Sequence, residues 1–334
     1  MQRKIGVLGA GTWGTALTIQ LAENGNDVTL WSKLPKEIEA LDSNRSAIPN
    51  LPGAVLPDSV KLTTDLAEIC KDKDILVCAV ASPFVRSVAH SIKDLVPEGQ
   101  IIVNVAKGIE ESTLMSLTAV ISDEIPSAKV AVLSGPSHAE EVSRNIPTAI
   151  VVGSADKETA LLIQDTFMND TFRIYISPDV IGIELGGSLK NVIALAAGVV
   201  DGLQLGDNTK AALMTRGMAE ISRLGVAMGG SLETFLGLSG MGDLIVTCTS
   251  NHSRNHNAGY LIGQGYSMQA AMDEVKQVVE GVYSAKAALM LSKKYHVDMP
   301  IVAEVNAVLF DGKYAGDALN ELFTRNRSEE INWD

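Results

Sequence analysis

At 334 residues the chain is long enough for two domains with separate cores. An apolar fraction of 46% is ordinary for a globular protein, and scarce aromatics point to aliphatic cores. The formal charge of −13 argues against a nucleic-acid or anionic-membrane surface, and an anionic ligand would need a local basic pocket inside that field.

Lys4–Leu8 reads as a short apolar strand, followed at once by Gly9-Ala10-Gly11-Thr12-Trp13-Gly14 and by the helical spacing of Thr15–Glu23. Strand, glycine turn and helix are the context in which GxGxxG implies a dinucleotide fold. Gly9 allows the tight turn, Gly11 lets a pyrophosphate approach the backbone, and Gly14 lets helix pack on strand. The helix N-terminus then faces the phosphates. Asn24-Gly25 predicts a left-handed cap, and Asp27–Trp31 the second strand.

Pro35–Ser43 suits a short helix, and the proline-rich Asn44–Pro57, with Pro49, Pro52, Gly53 and Pro57, a surface loop. Thr64 is placed to cap a helix running through Cys70. Ile75–Val80, Gln100–Val105 and Lys129–Leu133 read as strands, with helices from Ser82-Pro83 to about Leu95 and over Ser112–Ser122. Ser134-Gly135-Pro136-Ser137 is a turn into a further helix. Strands at Thr148–Val152 and Phe172–Ile176 flank a helix over Asp156–Met168. The alternation predicts a mostly parallel sheet with right-handed crossovers. Loops at Gly9, Ser82, Lys107 and Gly135 all follow strand C-termini and should converge on one crevice.

Past Pro178 the pattern changes to helices alone: Ile181–Val200, Lys210–Met228, Asn257–Ile262, Met268–Val278, Tyr283–Lys294, Ile301–Phe310 and Ala315–Phe323. The fold class is therefore α/β: a Rossmann-type, mostly parallel sheet domain over residues 1–180, and an all-helical domain over 181–334. No apolar run reads as long and unbroken enough to span a membrane. The apolar N-terminus continues into a folded turn and does not read as a signal peptide. Cys70, Cys78 and Cys248 make no CxxC pair, so buried or free thiols in a reducing cytoplasm are expected.

Several residues could do chemistry. Gly186-Gly187 interrupts the apolar helix just before Lys190, and close approach of a backbone or ligand would explain the two glycines. Lys190 sits among Leu185, Leu189, Val192 and Ile193. Desolvation there would bring its pKa toward neutrality, whereas a lysine snorkelling to water fits the spacing equally well. Lys107 follows a strand end and is either cofactor-facing or an ordinary loop lysine. Asp243, after Ser239-Gly240-Met241-Gly242, could steady a lysine or a substrate hydroxyl, or simply cap a helix. Ser253-Arg254-Asn255 offers hydroxyl, guanidinium and amide for a phosphate, or a polar surface loop. His252 and His256 are four apart, but no third ligand is apparent, and no metal site is expected.

At these residues the chain is similar, along nearly its whole length, to the bacterial NAD(P)-dependent glycerol-3-phosphate dehydrogenases. The similarity is carried by Gly9–Leu17, Ala106–Glu110, Ser134–Ser137, Leu185–Asn191, Gly240–Leu244, Thr247-Cys248, Ser253–Asn255 and Val278–Gly281. The resemblance implies reduction of dihydroxyacetone phosphate to sn-glycerol 3-phosphate by NADPH or NADH, in support of glycerophospholipid synthesis. It implies Lys190 as proton donor and acceptor, with Lys107, Gly135, Ser137, Asn191, Asp243, Thr247, Ser253, Arg254 and Asn255 around the substrate. The cofactor is expected against Gly9, Gly11, Thr12, Trp13, Gly14, Lys33, Phe84, Lys107, Ala139, Arg254, Val278 and Glu280. A homodimer, without nucleic-acid partner or membrane insertion, is also implied. Ser137 stands where the family often has Thr, and Lys33 where it often has Arg or His. The second strand ends Leu30-Trp31-Ser32-Lys33, with no carboxylate about 20 residues past the glycines, so NADPH is expected to be accepted in preference to NADH. Two other readings stand beside this one: a reductase of another small hydroxy acid, such as ketopantoate, and a non-catalytic NAD(P) sensor.

Overall fold

The computed structural model describes residues 2–48 and 51–325. Pro49, expected in a loop, and residues 326–334 of the expected helical domain lie outside the described residues. One eight-stranded sheet has the order β3-β2-β1-β4-β5-β6-β7-β8. Its strands are β1 (Lys4–Leu8), β2 (Asp27–Trp31), β3 (Lys61–Thr63), β4 (Ile75–Cys78), β5 (Ile101–Asn104), β6 (Lys129–Ser134), β7 (Thr148–Gly153) and β8 (Phe172–Ser177). The first six are parallel; β7 is antiparallel to β6, and β8 is parallel to β7.

The continuous apolar run of β4 is explained by cover on both faces. Ile75 and Val77 join the core that holds Ile5, Val7 and Val103, whereas Leu76 and Cys78 join Leu8 and Ile102 on the other side. From β1 the chain moves outward to β2 and β3, then crosses to β4 on the opposite side. That reversal creates a crevice at the C-terminal ends of β1 and β4, where ligands of such sheets bind. The Gly9, Ser82, Lys107 and Gly135 loops follow β1, β4, β5 and β6, four adjacent parallel strands, so they meet there as expected.

Several expectations need correction. The helix over Leu66–Cys70 is capped by Asp65, whose side chain accepts from Ala67 N, and not by Thr64. The helix after Ser82 ends at Ile92. The helix expected over Ser112–Ser122 begins only at Leu117 and runs to Glu124, because Ile109 pairs with Ser116 across a bridge and Leu114 takes a positive φ of 61°. The proline-rich loop is no mere surface loop: Ile48, Leu51, Ala54 and Leu56 are buried in the sheet core. Gly25, with φ of 83°, does end the first helix as expected, its N–H bonding Ala22 O at 2.9 Å.

Beyond β8 all named elements are helical. The Val180–Gly202 helix is the spine of this half. By length and composition it could cross a membrane, contrary to the reading of the sequence, but 83% of its apolar window is buried inside the protein. It packs against the Arg254–Gly263 helix through a glycine seam. A Cβ on Gly198, Gly202, Gly259 or Gly263 would strike the backbone of the facing helix. The seam draws the start of the second helix, with Ser253 as its cap, close to the spine. Gly186 is likewise required by close approach, since a Cβ there would lie 2.7 Å from Ser239 O.

Two buried carboxylates tie helices together. Glu184, on the spine, accepts from Thr118 N at 2.9 Å and from the Thr118 hydroxyl. Glu220 accepts from Ile301 N at 2.8 Å and Val302 N at 3.3 Å, capping the Pro300–Phe310 helix from outside. Burial pushes the Glu220 carboxyl up to about 7, only partly offset by those two amides. A folded-state pKa above the unfolded one favours the native state at low pH, and that contribution fades as pH rises from about 4.5 through about 7. Glu220→Gln removes the titration. The stability of the variant relative to wild type is therefore expected to improve between pH 5 and pH 8, by at most roughly 3 kcal/mol. Urea unfolding at both pH values checks this, and a constant difference would rule it out.

Candidate functional site

The glycine turn comes first. Gly9 adopts φ of 118°, and a Cβ there would lie 2.9 Å from the Ala79 backbone of the neighbouring strand end. A Cβ on Gly14 would strike Gly9 O, so Gly14 is what lets the Thr12–Glu23 helix sit on β1. Around Gly11 a Cβ would meet nothing within 4 Å. Gly11 is also the helix N-cap and offers no side-chain cap, which leaves first-turn N–H groups facing open space. This cradle fits a dinucleotide pyrophosphate. Trp13 packs half-buried against the sheet core, Phe84 is exposed in the Ser82–Phe84 turn, and Ala139 is buried at the start of the short helix after β6.

A lysine–aspartate–lysine bridge crosses from the sheet half to the helical half. Asp243 opens the Asp243–Thr249 helix and is 1% exposed. Its Oδ2 accepts from Lys107 Nζ at 2.6 Å, and its Oδ1 accepts from Lys190 Nζ. Lys107 Nζ also donates to Gly135 O at 3.1 Å, and the Ser137 hydroxyl donates to that same carbonyl at 3.0 Å. Gly135 reaches this pose at φ of 144° with Ile150 packed where a side chain would begin.

Lys190 lies one turn beyond Gly186 on the spine and is 5% exposed. Its Nζ donates to Thr247 Oγ1 as well as to Asp243. The Thr247 hydroxyl passes its own proton to Asp243 O at 2.6 Å, so it faces Lys190 as an acceptor. Two N–H groups of Lys190 are thus oriented and a third remains for a ligand. Burial brings the Lys190 pKa down to about 7, against the pull of Asp243, and the Lys107 charge adds to the lowering. The snorkelling alternative is therefore excluded.

Other expected positions lie on the spine or on elements that bond or pack against it and the sheet loops. Ser188 on the spine donates to Gly108 O at 3.0 Å, fixing the Lys107 loop against it. Asn191, Thr247, Ser253 and Asn255 are buried, and Asn255 Oδ1 accepts from Gly281 N at 2.8 Å. Arg254, exposed, is the first residue of its helix and faces Glu280 electrostatically. Glu280, next to the Val278-Val279 entry to its own helix, accepts from Ser82 N at 3.2 Å and from the Ser82 hydroxyl. Burial pushes its carboxyl up, moderated by Ser82 and Arg254. Lys33 is exposed just past β2.

Two features carry no signal in the sequence pattern. His138 contacts His252 with the two rings tilted by 54° and their centroids 5.7 Å apart, and burial and then the Lys190 charge hold its imidazole below the ordinary range. His256, four residues from His252, instead bonds Asp201 Oδ2 through Nε2 at 2.8 Å. Among the described residues no three His, Cys, Asp or Glu side chains are grouped to hold a metal. The second is Glu37, from the first turn of the Pro35–Ser43 helix, whose carboxylate accepts from the Ser32 hydroxyl. A carboxylate thus does stand at the end of β2, contrary to the sequence reading. It arrives from the next helix and not from the strand.

Comparison with known proteins settles the lineage. Residues 4–160 match the N-terminal model of NAD-dependent glycerol-3-phosphate dehydrogenase and residues 179–320 the C-terminal model. The chain belongs to this family. A glycerol-3-phosphate dehydrogenase [NAD(P)+] from Agathobacter rectalis is 60% identical, with 98% of this chain and 97% of that protein aligned. One from Fusobacterium nucleatum is 57% identical, with 98% of each covered. The crystal structure of a glycerol-3-phosphate dehydrogenase from Coxiella burnetii superposes with a TM-score of 0.92 at 35% identity, covering 97% of this chain and 99% of that one. The enzyme is thus an NAD(P)-linked oxidoreductase, which sets aside both the hydroxy-acid reductase and the sensor readings.

Proposed function

We propose that the enzyme reduces dihydroxyacetone phosphate to sn-glycerol 3-phosphate, with Lys190 as general acid, and oxidises the product with Lys190 as general base. The observation that carries this is Lys190 itself: buried, held by Asp243 and Thr247, and balanced near neutrality beside the glycine crevice. NAD(P)H, when bound, supplies the hydride. Lys190 gives a proton to the carbonyl oxygen as negative charge develops there, and in the reverse direction its neutral amine takes the hydroxyl proton. Asp243 fixes both lysine ammonium groups, so Lys107 adds positive charge beside the oxygen without drifting. Arg254, with Ser253, Asn255 and the helix N-terminus they open, supplies the grip for the phosphate.

On this reading residues 1–180 carry the cofactor and residues 181–334 most of the substrate contacts. Three buried free thiols support a reducing, cytoplasmic setting, and the product suits glycerophospholipid synthesis. The resemblance supports a homodimer, which sedimentation would test. Oxidation of NADPH and NADH with a panel of phosphorylated and unphosphorylated ketones tests the substrate. Arg254→Ala is expected to raise KM for the phosphorylated ketone by roughly 10- to 100-fold, the worth of a lost charge-assisted bond. Arg3→Ala is the control, because Arg3 precedes β1 at the N-terminal end of the parallel strands, opposite the crevice. Equal, small effects of the two substitutions would remove Arg254 from the site.

A further inference from the structure

The end of β2 adjoins the glycine turn directly, Gly9 N donating to Trp31 O at 2.9 Å. Ser32 follows and is buried. Its N–H is spent on Thr63 O, its oxygen accepts from Leu34 N at 3.1 Å, and its one hydroxyl proton goes to Glu37. The Glu37 side chain is otherwise exposed, at the start of a helix whose N-terminal dipole favours an anion. Between the two in the chain stands Lys33, also exposed. A negative and a positive side chain therefore flank the point where a dinucleotide fold places the adenosine ribose.

We propose that Glu37 sets selectivity at the adenosine 2′ position: it accepts the 2′-hydroxyl of NAD(H) and opposes the 2′-phosphate of NADP(H), while Lys33 acts in the opposite sense. A carboxylate at this place is an acceptor for a ribose hydroxyl and a repulsive neighbour for a phosphate. Lys33 supplies attraction to the phosphate alone. Because Glu37 is anchored by a single side-chain bond and faces solvent, rotation of its side chain releases the Ser32 hydroxyl, which can then donate to a 2′-phosphate. One site thereby serves both cofactors, and the cost of moving Glu37 limits NADPH.

Calorimetric titration of the intact enzyme with NADPH and with NADH, no ketone present, tests this without turnover. Glu37→Gln keeps the size and the Ser32 partner and removes only the charge. It is expected to tighten NADPH roughly five- to tenfold and to leave NADH within about threefold. Lys33→Asp is expected to weaken NADPH by a similar factor or more. The gain in Glu37→Gln should shrink between 50 mM and 500 mM NaCl, because it comes from a charge near solvent (roughly one Debye length at ~0.1 M is 10 Å). An NADPH/NADH affinity ratio in Glu37→Gln within twofold of wild type would overturn the proposal, as would a change indifferent to salt. Glu37→Ala guards against a misleading Gln contact: it must shift the ratio in the same direction.

Discussion

Lys190→Met is expected to lower kcat by ~10²–10⁴-fold, the usual contribution of general acid–base catalysis, while NADPH affinity stays within a few-fold of wild type. Methionine continues the apolar stem that packs in the spine, and Asp243 keeps Lys107 as its partner, so the protein should remain folded. Wild-type enzyme carries a second signature. Ketone reduction needs the protonated amine and should decline as pH rises through about 7, whereas oxidation of glycerol 3-phosphate needs the neutral amine and should decline as pH falls through the same value. Stopped-flow rates in both directions over pH 5.5–9 would check this. Near-normal kcat in the variant, or limbs of the same sign in both directions, would sink the assignment.

Asp243→Asn is expected to be nearly as severe, by a different route. The carboxylate is the charge that holds the Lys190 pKa up against burial and against Lys107. Without it the alkaline limb of ketone reduction should move about one unit or more toward lower pH, the usual size of a close opposite charge. At pH 7.5 turnover then falls steeply and recovers in part on acidification. Removing one member of a buried ionic cluster also costs roughly 3–5 kcal/mol of stability, so unfolding must be measured alongside. A variant that is less stable yet keeps the wild-type pH profile would assign Asp243 to packing alone.

Much of this arrangement was legible because it is written in local pattern. The apolar run of β4, the glycine turn and the alternation through β8 each constrain a neighbourhood of a few residues. Burial of Lys190 could be read from Leu185, Leu189, Val192 and Ile193 at helical spacing. What could not be read is long-range. Nothing in the sequence aligns Asp243 with Lys190, 53 positions apart, or with Lys107, 136 apart. The β3 strand is not legible because three residues, Lys61-Leu62-Thr63, are too few to show alternation. The Leu232–Leu236 and Asp243–Thr249 helices run only one to two turns each and are separated by the glycine-rich π-helical turn at Leu238–Gly242, so neither shows a clear period. Glu37 is invisible to a rule that places the acid in line with the strand, because it is the following helix that folds its own acid back onto Ser32.

Asp243 takes one lysine from the sheet half and one from the helical half. The Lys107 charge, one of the influences on the reactive amine, therefore reaches it only once both halves have docked. A nascent or partly unfolded chain carries Lys190 as an ordinary strongly basic side chain, protonated and inert at cellular pH. Chemical competence is thereby tied to completed tertiary packing.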